Sequence, residues 1–181
     1  IAKATAASDS PEVQKQAKEA LADIERFEDS VITWLVAGPY KGGKTSQEQP
    51  PEKPDAKDVK WKLIAAAGDP PGSVNLNQLL GGGENVSGYL KAQVWSPKEQ
   101  PAQIESGSDD GIKVWLNGKA VCDKDVPRSF KMGDDQIKVT LKEGWNDLLV
   151  KVVQGGGDWS VAVRIRAADG GKLPGLKLKA E

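Results

Sequence analysis

Between Val86 and Arg166 the chain runs through seven short segments in which apolar and polar residues largely alternate, each closed by turn residues. The segments are "VSGYLKAQVW" (86–95), "AQIESG" (102–107), "IKVWLN" (112–117), "KAVCD" (119–123), "QIKVTLK" (136–142), "DLLVKVV" (147–153) and "DWSVAVRIR" (158–166). A period of two is the signature of a strand with one buried face. The breaks are Ser-Pro-Lys-Glu, Asp-Asp-Gly, Asn-Gly, Glu-Gly and Gly-Gly-Gly-Asp. Asn117-Gly118 between alternating runs is a strong two-residue hairpin signal. No helical period lies between these strands, so parallel crossover units are excluded. The fold class expected is mainly β: an antiparallel β-sandwich of jelly-roll type with one N-terminal helix.

The first half supplies the rest. "VITWLVAGPY" (31–40) and "VKWKLI" (59–64) read as strands, and "VNLNQLL" (74–80) as a short one. Residues 41–58, rich in Lys, Glu and Pro, read as a long loop. Residues 9–28 carry the helical signal. Ser10 suits the cap, Pro11 the first turn, and Val13, Ala17, Ala20, Leu21, Ile24 and Phe27 fall on one face. That helix is expected either to dock a neighbouring domain or to pack on the chain's own body. The expected division is 1–29 helical segment, 30–170 sandwich and 171–181 tail. A start at Ile1 reads as a piece of a larger protein, whose localisation signal lies elsewhere.

Charge and residue usage narrow the function. The chain has 25 basic and 26 acidic residues and a net charge of -1, which gives no electrostatic case for nucleic acid or for an anionic membrane. No apolar run is long enough to span a bilayer. There is no histidine, so the commonest general base and the commonest metal ligand are both missing. Cys122 is the single cysteine, which excludes an internal disulfide and a cysteine-based zinc site; it reads as an inert thiol. Calcium, which takes oxygen ligands, is the metal left open. No pair of carboxylates is singled out for glycosidase chemistry, and the expectation is a protein that is not an enzyme.

Six tryptophans against two Tyr and two Phe is a skewed count. Alternation puts Ile112, Val114, Leu116, Leu90, Ala92, Val94, Leu148, Val150 and Val152 inward. Trp115, Trp95 and Tyr89 then fall on faces shared with Lys, Gln or Asn. A flat aromatic on such a face is a platform for a sugar ring or a cation, or else is covered by the 41–58 loop. Trp34, Trp61 and Trp145 read as packing residues. The loop "VPRSFKMGDDQ" offers Arg128 and Lys131, able to pair with a uronate or sulfate on a sugar or with the nearby Asp residues. "QGGGDW" has no helix after it and is not a phosphate cradle.

Several motifs carry a family resemblance. "WLVAGPY", "VKWKLI", "SGSDDGIKVWLNGKAV" and "LKEGWNDLLVKVVQGGGDWSVAVRI" together resemble the galactose-binding-like jelly-roll domains of bacterial polysaccharide-degrading and cell-surface proteins, and "SDDGIKVWLNG" resembles PA14-type domains. The resemblance covers residues 31 to 168. "SDSPEVQKQAKEAL" is similar to the second helix of a HEAT-type repeat. The β-sandwich resemblance implies a non-catalytic carbohydrate-binding module, extracellular, at the cell surface or periplasmic, that binds a polysaccharide or oligosaccharide. The ligand residues would be Trp115, Trp95, Tyr89, Asn117, Arg128 and Lys131. Other relatives are structural spacers, so a protein-interaction domain without a small ligand stays open. In PA14-type adhesins an Asp-Asp pair holds calcium against sugar hydroxyls. Asp109 and Asp110 match that pair, although the adhesins' further ligand loop has no counterpart here. No cofactor is required on this reading, with calcium the one candidate; the alternative is an Asp-Asp-Gly that only shapes the turn.

Overall fold

Two antiparallel sheets face each other in a computed structural model that describes residues 10–27 and 29–181. Helix α1 (Pro11–Phe27) comes first. The strands are β1 (Thr33–Lys41), β2 (Lys62–Ala65), β3 (Val74–Asn75), β4 (Val86–Ser96), β5 (Gln100–Asp109), β6 (Ile112–Leu116), β7 (Lys119–Lys124), β8 (Asp135–Leu141), β9 (Gly144–Gln154), β10 (Ser160–Ala167) and β11 (Lys177–Lys179). A short helix α2 (Leu76–Leu80) follows β3. The larger sheet runs β2-β1-β4-β9-β6-β7, with β11 also on β4; the smaller runs β3-β10-β5-β8.

The inward faces are those the alternation assigns. Leu90, Val94, Ile112, Val114, Leu148, Val150 and Val152 are fully buried in the larger sheet, and Ile104, Leu141, Val161 and Ile165 meet them from the smaller one. Trp34 and Trp159 fill the centre, each 1% exposed. Every such side chain contributes about 1.5–3 kcal/mol by leaving water.

Three elements differ from the sequence reading. "VNLNQLL" is a two-residue strand running into α2, because Asn75 caps the helix by accepting from the Gln78 N–H and Gly81 ends it at a φ of 83°. Residues 171–181 are joined to the sheet: Lys177, Leu178 and Lys179 pair with Trp95, Val94 and Gln93. In α1, Val13 and Phe27 are exposed, so the apolar face is open at both ends. The side chains of Ala20, Leu21 and Ile24 lie outside the described residues, as do Asp9 and Glu28 of the expected 9–28 helix.

The 42–58 segment folds back over half of the larger sheet's outer face. Lys151 of β9 fastens it. This lysine points outward by alternation yet has no exposed surface. Its Nζ donates to the Thr45 carbonyl at 3.3 Å, to the Gln47 carbonyl, and to Glu52 Oε1 at 3.1 Å. Tyr89 donates its O–H to the same Glu52 oxygen at 2.5 Å. A buried ammonium is tolerated only with a partner and a full set of acceptors, and this segment supplies both. Lys151→Ala is therefore expected to cost about 3 kcal/mol in urea unfolding, by leaving Glu52 unpaired. The Lys151→Met/Glu52→Leu double variant is expected to recover most of that loss.

Candidate functional site

The half of the outer face left open holds the aromatics. Register aligns three rows across β4, β9 and β6: Lys91, Leu149 and Trp115; then Gln93 and Asp147; then Trp95 and Trp145. The first and last rows lie four residues apart on β9, about 14 Å at ~3.4 Å per residue. Beside the first row lies a groove of about 340 Å³. Trp115 and Trp61 line it together with Lys91 and Asp147, and the Pro51–Pro54 stretch of the cover forms one wall. Three tryptophans carry a lysine over the ring: Lys113 on Trp115 at 5.3 Å, Lys177 on Trp95 at 4.8 Å and Lys179 on Trp145 at 4.3 Å. Asp147 accepts from the Gln93 amide at 2.7 Å, and Lys91 has no ion-pair partner among the described residues.

This arrangement redistributes the expected ligand residues. Trp115 and Trp95 are half-buried on the open face. Tyr89 shares that face but is fully buried under the cover, and burial followed by its bond to Glu52 drives the phenol's pKa upward. It is a fastening residue, not a platform. Asn117 is used up in its turn: its side-chain Nδ2 donates to Asn146 Oδ1 at 2.9 Å and its side-chain Oδ1 accepts the Asp147 N–H at 3.0 Å. Arg128 and Lys131 lie on the 125–134 loop, which packs on β5 of the other sheet. The approach is so close that a Cβ on Gly107 would stand 2.2 Å from the Lys131 carbonyl oxygen. Lys131 pairs with Asp134 at 3.7 Å. Two tryptophans read as packing belong to the open face instead. Trp145 is 42% exposed, and Trp61 walls the groove.

Asp109 and Asp110, joined by a cis peptide bond, point to separate tasks. Asp110 spends its carboxylate on the backbone, accepting the Arg128 N–H at 3.1 Å and the Gly155 N–H at 2.8 Å. Its carbonyl accepts from Ser108 Oγ and from Arg128 Nε. The rest of the Arg128 guanidinium grips Asp135 through both oxygens, at 3.1 and 2.6 Å, and Lys124 adds a third contact at 2.6 Å. Burial alone would raise the Asp135 carboxyl; the hydrogen bonds from Arg128 and Lys124 outweigh it and hold it below the usual carboxylate range. Asp109 is buried, and burial followed by the charge of Asp110 raises its pKa against the opposing Phe130 N–H.

Asp109 lines a polar cavity together with Asp69 and Asp158, whereas both carboxylate oxygens of Asp110 accept backbone N–H groups. Calcium takes about six to eight oxygens, whereas no group of three or more Asp, Glu or Cys side chains comes together to hold a metal among the described residues. The cation beside the Asp-Asp turn is the chain's own Arg128. Cys122 is half-buried, and burial followed by the charge of Asp135 pushes its thiol up, away from reactivity.

No family model and no curated protein matches the chain. Solved structures similar to it include the PA14 domain of the MpAFP antifreeze protein, at 20% identity and a TM-score of 0.49, covering 77% of this chain and 84% of that one. A PA14 sugar-binding domain from an RTX adhesin is 12% identical with a TM-score of 0.42, covering 83% and 73%. A CBM35 from Paenibacillus barcinonensis is 12% identical with a TM-score of 0.36, covering 78% and 97%. In a Kluyveromyces marxianus β-glucosidase the match spans only 18% of that chain.

Melting temperature is expected to be equal in excess calcium and in chelator, while Arg128→Ala costs about 3 kcal/mol by stranding a buried carboxylate. Asp135 has a folded pKa below its unfolded value, so its stabilisation is present above about pH 4 and fades as pH falls through the folded pKa. Asp109 has the opposite sign. Asp109→Asn is expected to raise stability at neutral pH, with the gain shrinking on acidification, as followed by thermal melts across pH.

Proposed function

We propose that the chain is a non-catalytic carbohydrate-binding module that takes a polysaccharide or oligosaccharide along the open half of the outer sheet face. One observation carries this reading: Trp61 and Trp115 line an open groove on the sheet face that also carries the Trp95–Trp145 pair. Tryptophan faces stack on sugar rings, and the intervening Gln93, Asp147 and Lys91 supply hydrogen bonds to hydroxyls. Platforms about 14 Å apart along the strands suit an extended chain better than a single sugar.

Catalysis is not part of the proposal. The two carboxylates at the groove are already engaged, Glu52 by Lys151 and Tyr89, and Asp147 by Gln93. The module would serve a larger parent protein that is extracellular, at the cell surface or periplasmic. No helix among the described residues is long and apolar enough to cross a membrane.

A second reading, a structural or protein-interaction domain without a small ligand, is favoured by the lysines lying over three of the tryptophans, since they occupy stacking surface. Retention on an immobilised panel of plant, algal and microbial polysaccharides separates the two. The module reading expects retention on one glycan class. It also expects Trp115→Ala to abolish retention while shifting stability by less than about 1 kcal/mol, the cost of a solvent-facing change. Absence of retention on every glycan, or collapse of the fold in that variant, favours the structural reading.

A further inference from the structure

The sandwich has a second opening, on its β7–β8 side. β7 ends the larger sheet and β8 ends the smaller, so each offers an unpaired strand edge. The two edges are pinned at one end, where Lys124 of β7 meets Asp135 of β8 at 2.6 Å. A cleft of about 690 Å³ lies between the two strands. Leu116, Val121 and Val139 give it an apolar lining, Lys119, Lys138 and Lys142 give it positive charge, and no acidic residue lines it. All three lysines are exposed, and none has an ion-pair partner among the described residues.

Lysine on an edge strand commonly guards against edge-to-edge association. Here the lysines surround an apolar cleft, so three like charges border a surface that water solvates poorly. Each feature has one complement. The strand edges call for a backbone, the apolar lining for branched side chains, and the ammonium groups for carboxylates. On β8, Val139 faces inward between Lys138 and Thr140, so one face of an added strand would meet the lining and the other the lysines. We propose that this cleft docks an extended peptide segment of a partner protein, alternating acidic and apolar residues and adding as a strand to the free edge of β8. The site is separate from the tryptophan face and does not depend on the glycan reading.

The probe is the peptide Ac-Glu-Val-Glu-Val-Glu-Val-NH2, titrated into the whole 181-residue chain while backbone amide shifts are followed. Saturable shifts confined to β7 and β8 are expected. Lys138→Glu/Lys142→Glu is expected to weaken binding roughly tenfold or more without changing the melting temperature. Ac-Glu-Ser-Glu-Ser-Glu-Ser-NH2 and polygalacturonate serve as comparators. No saturable shift would overturn the proposal. So would equal binding of the serine peptide, which would reduce the cleft to a charge patch. Polygalacturonate moving the same amides where the valine peptide does not would make it a glycan site instead.

Discussion

A single buried ammonium organises the outer face of this molecule. Lys151 stands on the central strand β9, where its side chain must point away from the core, yet it is as dry as the leucines behind it. Removing that charge from water is costly unless every proton finds an acceptor. The acceptors come from one segment, residues 45–52, so burial of the lysine and closure of the cover are the same event. Tyr89 joins by sharing Glu52. The cover then fixes the boundary between a closed half of the sheet and an open one, and its Pro51–Pro54 edge becomes a wall of the tryptophan groove.

Much of this was legible in the residues. Period-two alternation identified the long strands and sorted inward from outward side chains, since Leu148, Val150 and Val152 had to lie together. Alternation says only which side of a sheet a residue leaves from, however. What covers that side comes from distant sequence, and so Tyr89, Trp115 and Lys151 carried one signal and met three fates. Trp145 and Trp61 were misjudged for the same reason. β11 has too few residues to show a period, and its pairing with β4 is fixed by tertiary proximity.

The Asp-Asp turn teaches a related lesson about motifs. Asp109-Asp110-Gly111 is compatible with a metal site or with a turn, and the residue that shapes its surroundings is Arg128, eighteen positions from Asp110 in sequence. Its guanidinium reaches Asp110, Ser108 and Asp135 together. The planar fork makes these contacts from fixed directions, which a spherical ion would not. The turn, the 125–134 loop and the start of β8 are thereby held as one unit.

The span of the Lys151 contacts has a kinetic meaning. Its partners lie 99 to 106 residues earlier in the chain. Contacts of that separation form only after large loops have closed, and they slow folding accordingly. The cover's acceptors have no ammonium to close on until β9 is in the sheet, and β9 lies between β4 and β6. The cover thus closes after the sheet beneath it has formed. A chain caught before that step would carry an unshielded Tyr89 and a solvated Lys151.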